Sequence, residues 1–268
     1  MQRILTLTIL AALVVCGAPA LAQQGTHQLA AVAPAAAAGQ YHFYYFFKER
    51  TPQSEQLWQT FQAAMAEAGA QQVQFSAVDA NDPQQAQTVA AYKLERAPMP
   101  LALAVAPNGA VMGAFPNTFT KEQLLGAIGT PTQATVVKAF QDNKLVLLCV
   151  QNETTKMNVP AMQGVQAFKS DPMLGPYTEI VHLNPAQPTE AKFLQQMQIP
   201  QNLDTATTYL ITPPGVTAGM WSGATEKTAI LSTLTTKGCG PNCECLKGQQ
   251  ADNSGVFKKF FKNIASAR

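Results

Sequence analysis

The chain has 268 residues, enough for two domains of ordinary size. Hydrophobic residues make up 47% and charged residues only 13%, well below the roughly 25% charged of a typical soluble domain. A net charge of +2, with no basic stripe in either half, excludes a nucleic-acid-binding surface of the usual kind.

Residues 1–22 read as a secretory signal, with Arg3 near the start, an apolar run over 4–15, and Ala20-Leu21-Ala22 before Gln23. The run is shorter than the roughly 20 residues that span a bilayer, so cleavage and a periplasmic or secreted destination are expected. Cleavage also removes Cys16. Residues 23–40 are alanine-rich with scattered glycine and proline, which predicts a flexible leader.

Residues 41–47, YHFYYFF, lack polar alternation, as a strand covered on both faces does. Thr51 can cap a following helix with Pro52 in its first turn, and Leu57, Trp58, Phe61, Ala64, Met65 and Ala68 recur at helical spacing up to Gly69. A strand over 73–78 ends in the turn-forming stretch 79–83, and a helix over 84–92 follows. Next come Met99-Pro100, an apolar strand over 101–106, the Asn108-Gly109 hairpin and a return strand from Ala110. Thr120 caps a closing helix to Ile128. Parallel strands joined by helices, then a hairpin, predict a mixed sheet. His42 inside the aromatic strand reads as a hydrogen-bonded core or edge residue.

This order, strongest over 73–112, resembles a thioredoxin domain. The resemblance puts the family's dithiol motif on Thr51-Pro52-Gln53-Ser54, so both sulfurs are absent and Thr51 and Ser54 are degenerate positions. Hydroxyls cannot replace the thiolates of disulfide exchange. The family's cis-proline, which helps dock extended substrates, falls on Pro100, a peptide-docking candidate beside its structural role.

Residues 131–236 repeat the order. A helix over 134–141 is followed by an apolar strand over 145–150, a helix over 159–169 and an extended run over 177–183. A helix over 190–197, strands over 207–211 and 216–221 around Pro213-Pro214-Gly215, and a helix over 226–234 complete it. The fold class expected is therefore α/β: two thioredoxin-like domains, 41–130 and 131–236, each a mixed sheet flanked by helices. The second is degenerate, with no dithiol after Val150 and no proline directly before its third strand. Cys149 reads as a small buried hydrophobe and His182 as structural. Such tandem architecture resembles that of protein disulfide isomerases, without the chemistry.

The loop 237–248 holds Cys239, Cys243 and Cys245 on a Gly/Pro turn. In an exported protein this spacing allows either a disulfide or convergence on zinc or copper(I). After a polar linker beginning near Gln249, residues 256–268, VFKKFFKNIASAR, place three phenylalanines and three lysines on opposite helical faces. That pattern fits a peripheral contact with an anionic membrane, an acidic protein, or the chain's own domains. Two dithiol-less modules predict a noncatalytic binding or scaffold protein of the cell envelope with a protein or peptide partner. The alternative is a thiol oxidoreductase or soft-metal handler working through the terminal cysteines.

Overall fold

A computed structural model describes residues 32–236. The signal segment, the cysteine-rich loop with Cys239, Cys243 and Cys245, and the basic tail lie outside the described residues. The first unit runs α1 (Val32–Ala37), β1 (Tyr41–Phe47), α2 (Pro52–Ala68), β2 (Val73–Asp79), α3 (Ala86–Ala91), β3 (Leu101–Val105), β4 (Val111–Pro116) and α4 (Lys121–Gly126). The second repeats it with α5 (Pro131–Gln141), β5 (Leu145–Val150), α6 (Asn158–Lys169), β6 (Thr178–Leu183), α7 (Ala191–Met197), β7 (Thr207–Thr212), β8 (Val216–Ser222) and α8 (Lys227–Thr236).

Two separate four-stranded sheets result, ordered β2-β1-β3-β4 and β6-β5-β7-β8. In each, the first strand is interior, pairing in parallel with the strand after its helix and antiparallel with the hairpin's first strand. Both units are thioredoxin-like. The correspondence extends to irregularities: the hairpin ladders shift register between Ala104 and Val105 and again between Leu210 and Ile211. On β4 the Phe115 ring lies over Gly113, and on β8 the Trp221 ring lies over Gly219; a Cβ at either glycine would come within 3 Å of the ring. An aromatic two residues on covers each glycine gap in the strand.

Local chemistry explains the boundaries. Thr51, Thr120 and Thr130 each accept a hydrogen bond from the backbone three residues on, and the side chain there reaches back to the threonine N–H. Gly69 ends α2 with φ +83.

Three expectations need correction. The leader is not irregular throughout, because residues 32–37 form α1 and Ala35 is fully buried. Its place before β1 matches that of α5 before β5. The helix expected over 84–92 divides into a 3-10 turn, Pro83–Gln85, and the short α3, since Asp82 caps the turn through the N–H of Gln84. His182 is exposed on β6 and packs no core.

Side chains from both units grip the connection between them. The Tyr41 hydroxyl donates to the Gly129 carbonyl and accepts from its N–H, both at 3.1 Å. From the second unit, Glu190 Oε1 accepts from Thr132 N–H at 3.1 Å, and Lys192 Nζ donates to the Ile128 carbonyl at 2.7 Å. Burial pushes the Tyr41 phenol up to about 12. The Gln141 amide bonds both main-chain groups of Val111, covering the outer edge of β4 as a neighbouring strand would. One apolar cluster runs through this junction, from Phe43, Phe61 and Leu124 by way of Val136 and Phe140 to Val146 and Leu148. Tyr41→Phe leaves both Gly129 groups without their partner, so we expect about 1–3 kcal/mol of destabilisation in urea unfolding. An unchanged midpoint would mean that water replaces the hydroxyl.

Candidate functional site

The residues singled out in the first unit gather at one end of its sheet. β1 delivers the chain through residues 48–51 to the N-terminus of α2, and β3 starts beside it, with Phe46 paired to Leu101 directly after Pro100. The Met99–Pro100 peptide bond is cis, and the Pro100 carbonyl accepts from the Asn117 N–H at 2.8 Å. Met99 packs its side chain against the core and makes no main-chain hydrogen bond within the described residues.

Neither hydroxyl at the degenerate positions is free. Thr51 Oγ1 accepts from Ser54 N–H at 3.1 Å, and Ser54 Oγ accepts from Thr51 N–H at 2.8 Å. Ser54 Oγ also lies 3.0 Å from the Glu49 carbonyl, to which it can donate, and the residue is only 5% exposed. The Tyr45 hydroxyl donates to the Ser54 carbonyl at 2.7 Å. These are capping bonds of a helix start, and among the described residues both oxygens bond only the main chain. Thr51 and Ser54 thus form the capping box that starts α2.

Beside this helix start, a small cleft of about 80 Å³ is lined by Tyr45, Phe47, Arg50, Ser54, Glu55, Trp58 and Ala77. The Arg50 guanidinium lies 5.3 Å from the centre of the Phe47 ring. Its ion pair with Glu55, at 3.5 Å, is exposed and contributes little. Trp58 stacks on Phe61 at 5.4 Å, and Phe75 stands edge-on to both rings while 45% exposed. Aromatic walls of this kind favour apolar contact with a chain laid across them.

The second unit has a counterpart that lacks any cysteine or proline to mark it in the sequence. Thr155 and Asn158 stand as far beyond Val150 as Ser54's box does beyond Phe46, with the same threonine-then-polar spacing. Thr155 Oγ1 bonds the Asn152 main chain and Asn158 Oδ1, and Asn158 Nδ2 donates to the Asn152 carbonyl. The main chain between them turns toward the start of β7. Lys156 N–H donates to the Asp204 carbonyl at 2.8 Å, and Ala206 N–H donates to the Lys156 carbonyl at 2.9 Å. No hydrogen bond joins 51–54 to 98–100 among the described residues of the first unit.

The remaining candidates stand apart. Cys149 is buried, and burial pushes its thiol up to about 12, so it is neither nucleophile nor ligand at neutral pH. His42 Nε2 lies 3.0 Å from Ser76 Oγ, and its ring is 3% exposed. Among the described residues, no three His, Cys, Asp or Glu side chains are placed to hold a metal ion, and no helix is long and apolar enough to cross a membrane.

No family model matches the chain, and no curated protein matches it. Solved structures do. The chain is similar to StoA from Bacillus subtilis at 17% identity, over 33% of this chain and 82% of that one, with a TM-score of 0.26. Human ERp44 matches at 12% identity over 81% of this chain, with a TM-score of 0.34; the match covers 57% of the ERp44 chain. The first two thioredoxin domains of Saccharomyces cerevisiae Eps1p match at 10% identity, over 69% of this chain and 86% of that one, with a TM-score of 0.27. The fold assignment rests on strand order and pairing, which these overlaps accompany.

Proposed function

We propose that this protein is an exported, noncatalytic thioredoxin-like binding protein of the cell envelope, which holds an extended peptide segment in the groove between the α2 N-terminus and Met99-Pro100. The observation that carries the reading is the state of the two groove walls. On one wall both hydroxyls are taken up by helix capping. On the other, Met99 keeps an unpaired peptide group at the entry to a strand. An unpaired strand entry accepts an extended chain by main-chain hydrogen bonding. A rim without thiolate or activated hydroxyl supports binding without turnover.

A disulfide-reduction assay on the mature protein and its Cys239→Ser/Cys243→Ser/Cys245→Ser variant is expected to give the same background rate for both. Cysteine-dependent turnover would replace this reading with the oxidoreductase one. For binding, S-carboxymethylated insulin B chain serves as an extended, thiol-free probe. Met99→Pro removes one N–H donor from the groove and should weaken that binding about tenfold, the worth of one hydrogen bond. Equal affinity in a folded Met99→Pro variant would move the peptide elsewhere.

A further inference from the structure

The segment before the first-unit helix α2 and the segment before β3 share no hydrogen bond among the described residues, whereas their second-unit counterparts are joined by two, and the difference traces to two positions in each unit. Pro52 and Lys156 each stand six residues beyond the paired strand-end positions Phe46 and Val150. Pro100 and Ala206 each directly precede the partners of those positions, Leu101 and Thr207. The second equivalence has independent support. The Pro100 carbonyl accepts from Asn117 N–H and the Ala206 carbonyl from Gly223 N–H, both at 2.8 Å, and both donors have positive φ.

In the second unit, Lys156 N–H and Ala206 N–H are the two donors that join the groove walls, and Lys156 forms a parallel bridge with Thr205. The first unit has proline at both donor positions. Proline carries no N–H, so neither bond can form there. The helix starts respond accordingly. Only four residues, 48–51, separate β1 from α2, whereas seven, 151–157, separate β5 from α6, because the stretch around Lys156 lies across the groove instead of entering the helix. Met157 takes a left-handed conformation there and packs toward Gly223, whose Cα would carry a Cβ 3.8 Å from the methionine side chain.

We infer that Lys156 and Ala206 zip the second groove shut, that Pro52 and Pro100 keep the first one open, and that the chain consequently offers one extended-peptide groove. The single-site count rests on the binding reading above, but the zipper itself does not. A sealed second groove leaves that unit to brace the first through the junction at residues 128–133.

The zipper is tested without any ligand by amide hydrogen exchange on the full mature chain. Lys156 and Ala206 amides should exchange about tenfold or more slowly than that of Met99, and Lys156→Pro should speed Ala206 by a similar factor. Ala206 exchanging as fast as Met99 in the unaltered protein overturns the proposal, whatever any variant does. The ligand arm uses S-carboxymethylated insulin B chain carrying a benzophenone photocrosslinker. The unaltered protein should take up one equivalent, crosslinked near residues 98–101. Lys156→Pro/Ala206→Pro should take up a second, crosslinked near 155–158 and 204–206. Uptake only by the double variant would remove the first-unit binding reading and keep the zipper. One equivalent on the unaltered protein with no gain by a double variant that retains its melting transition would overturn the zipper, whereas no uptake by either protein would overturn only the binding reading and leave the zipper to the exchange measurement.

Discussion

Gly164→Ala is expected to destabilise the protein by about 3 kcal/mol, reversing the usual preference of helices for alanine. Gly164 sits in the middle of α6, buried where the chain entering α8 crosses the helix. A Cβ there would stand 1.5 Å from the Thr225 carbonyl oxygen and 2.3 Å from its carbon. Both obstacles are backbone, so no rotamer change relieves the contact. The segment 225–226 would have to move, and with it α8, whose Ile230 packs with Val165 and Phe168. Thr225 is itself buried and bonded to Thr208 on β7, which resists that shift. Thermal unfolding should show the midpoint falling by roughly 6–12 °C. Gly126→Ala in α4 is the control, since nothing lies within 4 Å of its Cβ position. A Gly164→Ala protein as stable as the control would show that the crossing is loose.

Acid sensitivity should be the second large effect, and it should depend on His42. Burial pushes the imidazole down to about 4, from an ordinary value near 6.5. As pH falls through that window the unfolded chain takes up a proton that the folded protein refuses. Stability therefore declines, by about 1.4 kcal/mol per pH unit, from about pH 6.5 until the folded group titrates near 4. Above pH 6.5 the group is neutral in both states and contributes no slope. The second unit indicates the replacement: β-strand register places Val146 and Val181 where the first unit has His42 and Ser76. His42→Val/Ser76→Val removes both hydrogen-bonding partners together, and it also removes the Nδ1 atom that has no partner in the interior. Replacing both partners with apolar groups is close to neutral at pH 7. Urea unfolding at pH 7 and pH 5 should show the unaltered protein losing about 2 kcal/mol more than the double variant. Equal losses would place the acid sensitivity in other groups.

The architecture was legible because the signals that encode it are local. The apolar runs 41–47 and 145–150, the helices after them and the proline- or glycine-marked hairpins each reflect short-range sterics and recur in the same order in both halves, while threonine capping boxes start α2, α4 and α5 and α6 has no side-chain cap. The absence of a dithiol was equally plain, since it needs only residue identity. α1 escaped because six residues rich in alanine carry a helical signal too weak to separate from a leader; packing of Ala35 against the sheet stabilises it. The glycine–aromatic pairs on β4 and β8 were present as Gly-x-aromatic spacing, but ordinary strand alternation hides such a pattern until the ring is seen lying over the gap.

The state of each groove belonged to tertiary structure. Pro52 reads in sequence as a helix-start residue and Lys156 as part of a polar turn, and nothing local links either to Pro100 or Ala206. The link appears only when β1 aligns with β3 and β5 with β7, bringing residues separated by about 50 positions to the same end of a sheet. Sequence determined the strand-and-helix order, because sterics and capping act over a few residues. Tertiary structure decided which groove is closed and where Gly164 meets a backbone, because those outcomes depend on main-chain groups that every residue carries and whose pairing only long-range geometry selects.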